Sequence, residues 1–316
     1  MAKVVVNFGG DHPDVIMGGV LDAIGAKTKD LQLIISADPL ELSNLYQFGS
    51  SERDAIARAM VVEPPVKYKD LPTEEAALAW ALELLREEKL DALITPTNSK
   101  TLFYHWARAG LGVTGIKRPL LIGPMPTSRI HEMDSGLSWV GDIGAVTSTS
   151  DPEVFLGWLQ VATTFLQDER GYKVVRVALG HIATEKGRDP ELDAVFDYLA
   201  KRADNFVGYC EPANFFDGAV DVVLSDSRRG NYFLKAVEGC GKQILKELLE
   251  QVFRGDEAGA KRVMRFFAGR YAYARFGLAR MLGSQGKIYR MHGGAKRPEV
   301  AEAIPKVLRH LGGLPL

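Results

Sequence analysis

Short runs rich in valine, isoleucine and leucine alternate along the chain with longer stretches whose apolar positions recur at helical spacing. Such alternation is the pattern of βα units feeding a largely parallel sheet. Strands are predicted at 3–8, 31–36, 91–95, 118–123, 139–146, 173–179, 205–209, 220–225 and 286–291. The segment 75–89 is predicted to be a helix, because it is acidic at its start and free of glycine and proline. Further helices fall near 14–24, 101–110, 152–167, 190–202, 231–254, 257–280 and 298–311. No repeat, low-complexity tract or linker divides the chain, so 1–316 reads as a single two-lobed unit whose internal boundary composition does not mark. Ligands of such sheets lie at the carboxyl ends of strands, where a loop enters a helix.

Composition narrows the classes of partner. The chain has 316 residues, 46% hydrophobic and 25% charged, which is ordinary globular usage. Its 39 basic and 40 acidic side chains nearly cancel, which argues against a nucleic-acid binder relying on many phosphate contacts. Cys210 and Cys240 lack CxxC spacing and read as two buried thiols rather than a disulfide or a zinc site. The histidines (His12, His105, His131, His181, His292, His310) show no HExxH or paired spacing, so no metal is expected. The apolar start at residues 1–8 is too short for a signal segment and reads as a first strand. No apolar stretch approaches the roughly 20 residues of a membrane span. These features predict a cytoplasmic protein.

Three strand-to-helix loops carry candidate chemistry. After the first strand comes Phe8-Gly9-Gly10-Asp11-His12-Pro13. Its glycines allow close backbone approach, and Pro13 near a helix start aims free N–H groups at an anion. A tight turn capped by Asp11 needs the same residues. After Ala92-Leu93-Ile94 comes Thr95-Pro96-Thr97-Asn98-Ser99-Lys100-Thr101, whose hydroxyls, amide and ammonium suit a phosphate or carbonyl, or else an N-cap. After the strand 220–225 comes Asp226-Ser227-Arg228-Arg229-Gly230-Asn231, with Lys235 and Glu238 further along the helix. Arginines at a helix N-terminus oppose its dipole, so the pair makes most sense around an anion; two solvated arginines are the plain alternative. The segment 257–280 carries Lys261, Arg262, Arg265, Arg270, Arg275 and Arg280 beside an apolar stripe of Val263, Phe267, Tyr271, Ala274 and Leu278. That basic surface could dock an acidic carrier protein or a CoA phosphate, or simply be solvated. GxSxG and Walker A are absent, and Gly239-Cys240-Gly241 is followed by Ile244 where GxGxxG requires a third glycine.

Taken in order, these segments resemble the phosphate acyltransferase family, whose members make acyl phosphates from acyl carrier protein thioesters and inorganic phosphate. Gly9-Gly10-Asp11-His12 matches a GGDH, Lys67-Tyr68-Lys69-Asp70 a KKD segment, and Asn98 lies in the loop equivalent to SAGNTGAL. Arg118-Pro119 and Pro126-Thr127 follow, then Asp142-Ile143-Gly144-Ala145 like DLGAN, Thr184-Glu185-Lys186-Gly187 like an E-K-G stretch, and Asn205-Phe206-Val207-Gly208 like NFIGN. Phe216-Asp217-Gly218, Asp221-Val222-Val223, Asp226, Gly230-Asn231, Leu234-Lys235, Glu238-Gly239, Gly283 and His292-Gly293 complete the series. Departures are Val146 for the asparagine of DLGAN, Gly180-His181 for Asn-Ile, Lys100 for a glycine, and Arg228-Arg229 for an apolar pair.

The resemblance implies an α/β, two-lobed three-layer sandwich with a largely parallel sheet, isopropylmalate dehydrogenase-like, and a homodimer. The charged connection 252–257 argues against membrane contact. The implied reaction is attack of bound phosphate on a thioester of acyl carrier protein or CoA, with no cofactor and no protein nucleophile. Gly9, Gly10, Asp11, Asn98, Ser99, Gly230, Asn231 and Arg228 or Arg229 would hold phosphate or oxyanion, and His12 or Asp226 the proton, with Lys69, Lys186 and Lys235 in support. One rival is a short-acyl phosphotransacylase forming acetyl phosphate, as in the glycine reductase subunit. The other is a non-catalytic relative that binds a partner or an anion.

Overall fold

A run such as Val4-Val5-Val6 has no polar face, so a strand built from it must be covered on both sides. The computed structural model describes residues 2–7, 13–25, 31–36, 60–61, 67, 69–128, 136–145, 149–271 and 278–311. Its strands are β1 (Ala2–Asn7), β2 (Leu31–Ser36), β3 (Met60–Val61), β4 (Ala92–Thr95), β5 (Leu120–Pro126), β6 (Leu137–Gly141), β7 (Val177–Gly180), β8 (Phe206–Cys210), β9 (Val222–Leu224), β10 (Leu278–Leu282) and β11 (Lys287–Met291). The helices are α1 (Pro13–Gly25), α2 (Thr73–Arg86), α3 (Ser99–Ala109), α4 (Pro152–Thr164), α5 (Pro190–Ala200), α6 (Pro212–Phe215), α7 (Ser227–Glu247), α8 (Glu257–Tyr271) and α9 (Arg297–Leu311). π-Helical turns extend α4 over Phe165–Glu169 and α7 over Leu248–Val252.

Two units divide the chain: Met1–Pro119 with Asp168–Gly171 and Gly277–Leu316, and Leu120–Gln167 with Tyr172–Phe276. In the first, the strand order is β3-β2-β1-β4-β11-β10, parallel except for the β10–β11 pair. Val4 and Val6 meet α1 and α9 on one face, in a cluster with Ile16, Met17, Val20, Ile94, Tyr289, Ile304 and Val307. A Cβ on Gly19 would stand 2.4 Å from the Val300 Cβ, so only glycine lets α1 and α9 approach this closely. α2 packs against β1 and β4.

The second unit has the order β5-β6-β9-β7-β8, parallel except for β5–β6. Met125, Val140, Ala178, Cys210, Phe215 and Val223 form its core, with Phe233, Leu234 and Val237 of α7 packed against it. At the amino ends of its strands, Arg176 donates Nε and Nη2 to the two oxygens of buried Asp221, each at 3.0 Å.

The α/β class and largely parallel pairing expected from the sequence are borne out. One helix is corrected: α8 is described over Glu257–Tyr271, and Leu278 and Arg280 of the predicted 257–280 helix lie in strand β10. The reason is a partner that local periodicity does not show, because Arg280 pairs with Tyr289 in the antiparallel ladder to β11. Arg280 is therefore buried, donating to the carbonyls of Met281 and Ile288, and is no part of a basic surface. Of the two thiols expected to be buried, Cys210 is buried, whereas Cys240 is exposed on α7.

Candidate functional site

The polar groups gather at the carboxyl ends of parallel strands in each unit, where the loop must satisfy the free N–H groups of the helix it opens. In the second unit β9 runs through Ser225 into α7. Asp226 is the cap of that helix, accepting from the backbone N–H of Arg228 at 2.9 Å and of Arg229 at 3.1 Å. Gly230 brings the first turn against the neighbouring loop: a Cβ there would lie 2.1 Å from the Asp142 carbonyl oxygen. That loop is closed by the Asp142 carboxylate, which accepts from the N–H groups of Gly144 and Ala145. The Ser225 hydroxyl is buried without a hydrogen-bond partner beneath the same turn.

The arginine pair separates into two roles. Arg228 is exposed, with no side-chain partner among the described residues. Arg229 directs Nη1 to Asp226 at 3.0 Å and Nη2 to Asp189 at 2.7 Å. Asp189 is itself the cap of α5, accepting from the Leu192 N–H at 3.1 Å. The expected conflict between two arginines and a helix dipole is therefore relieved at Arg229 by two carboxylates. Asp226 thus holds two N–H groups and a guanidinium, as the cap of α7 and an ion-pair partner. Asn231 is exposed on α7, and Lys235 pairs with Glu238 one turn along. Lys186 pairs with Asp197 on α5.

On the preceding strand-to-helix loop, His181 is buried, with Nδ1 against the backbone of Ala183, its ring stacked on Tyr209 and Nε2 unpartnered. Tyr209 donates its hydroxyl to Asp193 at 2.7 Å. Burial, followed by that hydrogen bond, raises the Tyr209 phenol above its ordinary range, and the same bond holds the Asp193 carboxyl low.

In the first unit Asn98 is the cap of α3, accepting from the Thr101 N–H at 3.0 Å, with Ser99 next in the first turn. Beside it lies a buried polar cluster. Asn7, closing β1, donates to the hydroxyls of Thr95 and Thr97, Thr97 donates to Glu74, and the Arg290 Nε donates to the Thr97 carbonyl. The Asn7 carbonyl oxygen has no partner. Sequence reasoning singled out Thr95 to Thr101 but missed Asn7, Glu74 and Arg290. The available signal was a polar residue ending the otherwise apolar run Val4-Val5-Val6-Asn7. Lys69 is exposed in a turn. Gly9, Gly10, Asp11, His12 and Val146 lie outside the described residues. Among the described residues no three His, Cys, Asp or Glu side chains gather as a metal site, and no helix is long and apolar enough to cross a membrane.

Solved phosphotransacylases and a dehydrogenase share this fold. It superposes on a branched-chain phosphotransacylase from Enterococcus faecalis V583 with a TM-score of 0.60 at 13% identity, covering 98% of this chain and 99% of that one. A phosphotransacetylase from Streptococcus pyogenes gives 0.62 at 13% identity, covering 99% and 94%. 4-Hydroxythreonine-4-phosphate dehydrogenase from Klebsiella pneumoniae gives 0.58 at 14%, covering 98% and 100%. Sequence carries the assignment further: the chain belongs to the family described as fatty acid synthesis protein, matched over residues 2–311. Its relatives include the phosphate acyltransferase of Lactobacillus delbrueckii subsp. bulgaricus, 27% identical over 97% of this chain and 94% of that protein. Another is the phosphate acyltransferase of Staphylococcus epidermidis, 28% identical over 96% and 94%.

Proposed function

We propose that this chain is a phosphate acyltransferase, an enzyme that moves an acyl group from a thioester to inorganic phosphate. The observation that carries the reading is the mouth of α7, where Arg228 is exposed beside a capped helix N-terminus in a chain whose relatives carry that name over nearly their whole length. A phosphate oxygen attacks the thioester carbonyl, the C–O bond forms, the C–S bond breaks, and the phosphate proton passes to the departing thiolate. Acyl phosphate and free thiol result, and the balance requires no protein nucleophile. The chain's task is to hold a multiply charged anion against a carbonyl, which suits the exposed Arg228 guanidinium at the mouth of α7.

The acyl donor is the thioester of acyl carrier protein or of CoA. Lys261, Arg262 and Arg265, all exposed on α8, suit an acidic carrier. The assembly is a homodimer whose isologous contact uses α7 and α8, where Ile244, Met264 and Phe266 are exposed. The two free thiols fit action in the cytoplasm. Acyl phosphate formation, trapped with hydroxylamine and followed across acetyl, butyryl and palmitoyl thioesters of CoA and carrier protein, tests the proposal. Phosphate-dependent product from any donor supports it, and the preferred donor decides between long-chain transfer and the short-acyl alternative. Thioester loss at the same rate without phosphate, or none with any donor, overturns it. Light scattering at the 34.7 kDa mass of one chain over a wide concentration range would remove the dimer.

A further inference from the structure

A guanidinium in the first turn of a helix is unfavourable unless negative charge stands beside it. Arg229 meets this condition by lying between the caps of two helices that open from the adjacent parallel strands β7 and β9. Its two carboxylate partners are not equivalent. Asp226 has a 7% exposed side chain and holds two N–H groups of α7, so it is fixed. Asp189 is 25% exposed and holds one N–H group of α5, at the end of a loop in which residues 184–188 are all exposed. Two further groups at this turn lack partners: the exposed Arg228 guanidinium, and the Ser225 hydroxyl, in a residue only 6% exposed. Arg229 faces both the Asp189 and the Asp226 carboxylates, so loss of the Asp189 charge leaves its guanidinium with Asp226 alone.

We infer that Asp189 is a stand-in anion, its carboxylate occupying the Nη2 edge of Arg229 that an incoming phosphate takes, so that this residue sets how tightly the site holds its substrate. The inference rests on the phosphate site proposed at α7. Phosphate binding is then an exchange. The guanidinium passes from carboxylate to phosphate, while Asp189 keeps its hydrogen bond to the Leu192 N–H and α5 stays capped. Asp189 is a positioning residue, acting on substrate through Arg229. The arrangement also accounts for an arginine where the resembling family has an apolar residue, because Arg229 and Asp189 work as one device.

The test separates charge from capping. Asn and Ser cap helices about as well as Asp does, so Asp189→Asn and Asp189→Ser remove the charge and leave α5 closed. Calorimetric titration with inorganic phosphate at low ionic strength, together with kcat and KM for phosphate, is made on the full chain. Removal of the competing carboxylate is expected to lower Kd and KM for phosphate about fivefold without raising kcat, and Arg229→Gln in the same chain is expected to abolish the gain, as coupled residues do. Unchanged or weakened phosphate affinity in both variants, with wild-type circular dichroism, would reduce the pair to a structural tie. If wild type forms acyl phosphate while the variants show no gain, the exchange falls and the transferase stands. If wild type neither binds phosphate nor forms acyl phosphate, the site falls and the exchange with it.

Discussion

Buried ionisable side chains carry the clearest demands at the scale of single residues. Asp221 is 1% exposed, and Arg176 gives it a backbone N–H at 2.7 Å besides the two guanidinium bonds. The Arg176 side chain is 39% exposed and can turn to water, so Asp221→Ala chiefly orphans the Arg176 N–H and is expected to cost about 2 kcal/mol in urea unfolding. A loss below about 0.5 kcal/mol, the range of ordinary surface changes, would mean that the carboxylate contributes little. Cys210 offers a second check. Burial, then the charges of Glu211 and Asp217, push its thiol up to about 11, while Cys240 is exposed. Native protein at pH 8 should therefore give one fast equivalent with a thiol reagent and the second only on unfolding; two fast equivalents would contradict the buried position. The cap at Asn98 was legible in the sequence, because a short polar side chain between an apolar run and a helix is the local mark of a cap. The partner of Arg229 was not, since Asp189 lies 40 residues away and only the pairing of β7 with β9 brings it near.

Among the elements, α7 depends most on one missing side chain. Its first turn rests on the Asp142 carbonyl at Gly230, and backbone cannot yield as a flexible side chain can. Gly230→Ala must displace the helix start or the loop at Asp142, with an expected loss of about 1–3 kcal/mol, as for other overpacked contacts. Phosphate affinity should weaken with it if the mouth of α7 is the anion site. A variant with wild-type melting temperature would show that the turn relaxes freely. Most elements could be read from the chain because parallel strands buried on both faces leave continuous apolar runs and the intervening helices keep their own period. β10 escaped because Leu278 and Arg280 continue the spacing of the preceding helix, and the antiparallel partner that makes the segment a strand is β11, beyond the turn at 283–286. β3, only two residues long, has too little pattern to be read.

For the molecule as a whole, the response to acid should be governed by a carboxylate on the short segment Asp168–Gly171, which packs with the first unit although the chain on either side belongs to the second. Glu169 bonds the Nε2 of His310 at 2.6 Å and stands 3.5 Å from Arg280 and 4.0 Å from Lys287. Burial alone would raise its carboxyl, but the His310 hydrogen bond, then the charges of Arg280 and Lys287, outweigh it and hold the group at about 2 against an ordinary 4.5. A group depressed by folding stabilises the folded state fully above its unfolded value and loses that contribution as pH falls toward its folded value. The window here is therefore pH 4.5 down to about 2. Allowing for solvent screening of a partly exposed cluster, the contribution is about 2 kcal/mol. Glu169→Gln should be less stable than wild type at pH 7, where Arg280 loses a charged partner. The difference should shrink by about that amount as acid neutralises Glu169 in the wild-type chain. Urea unfolding of both proteins across this range gives two curves, and parallel curves would show that Glu169 does not set the acid limit of the fold.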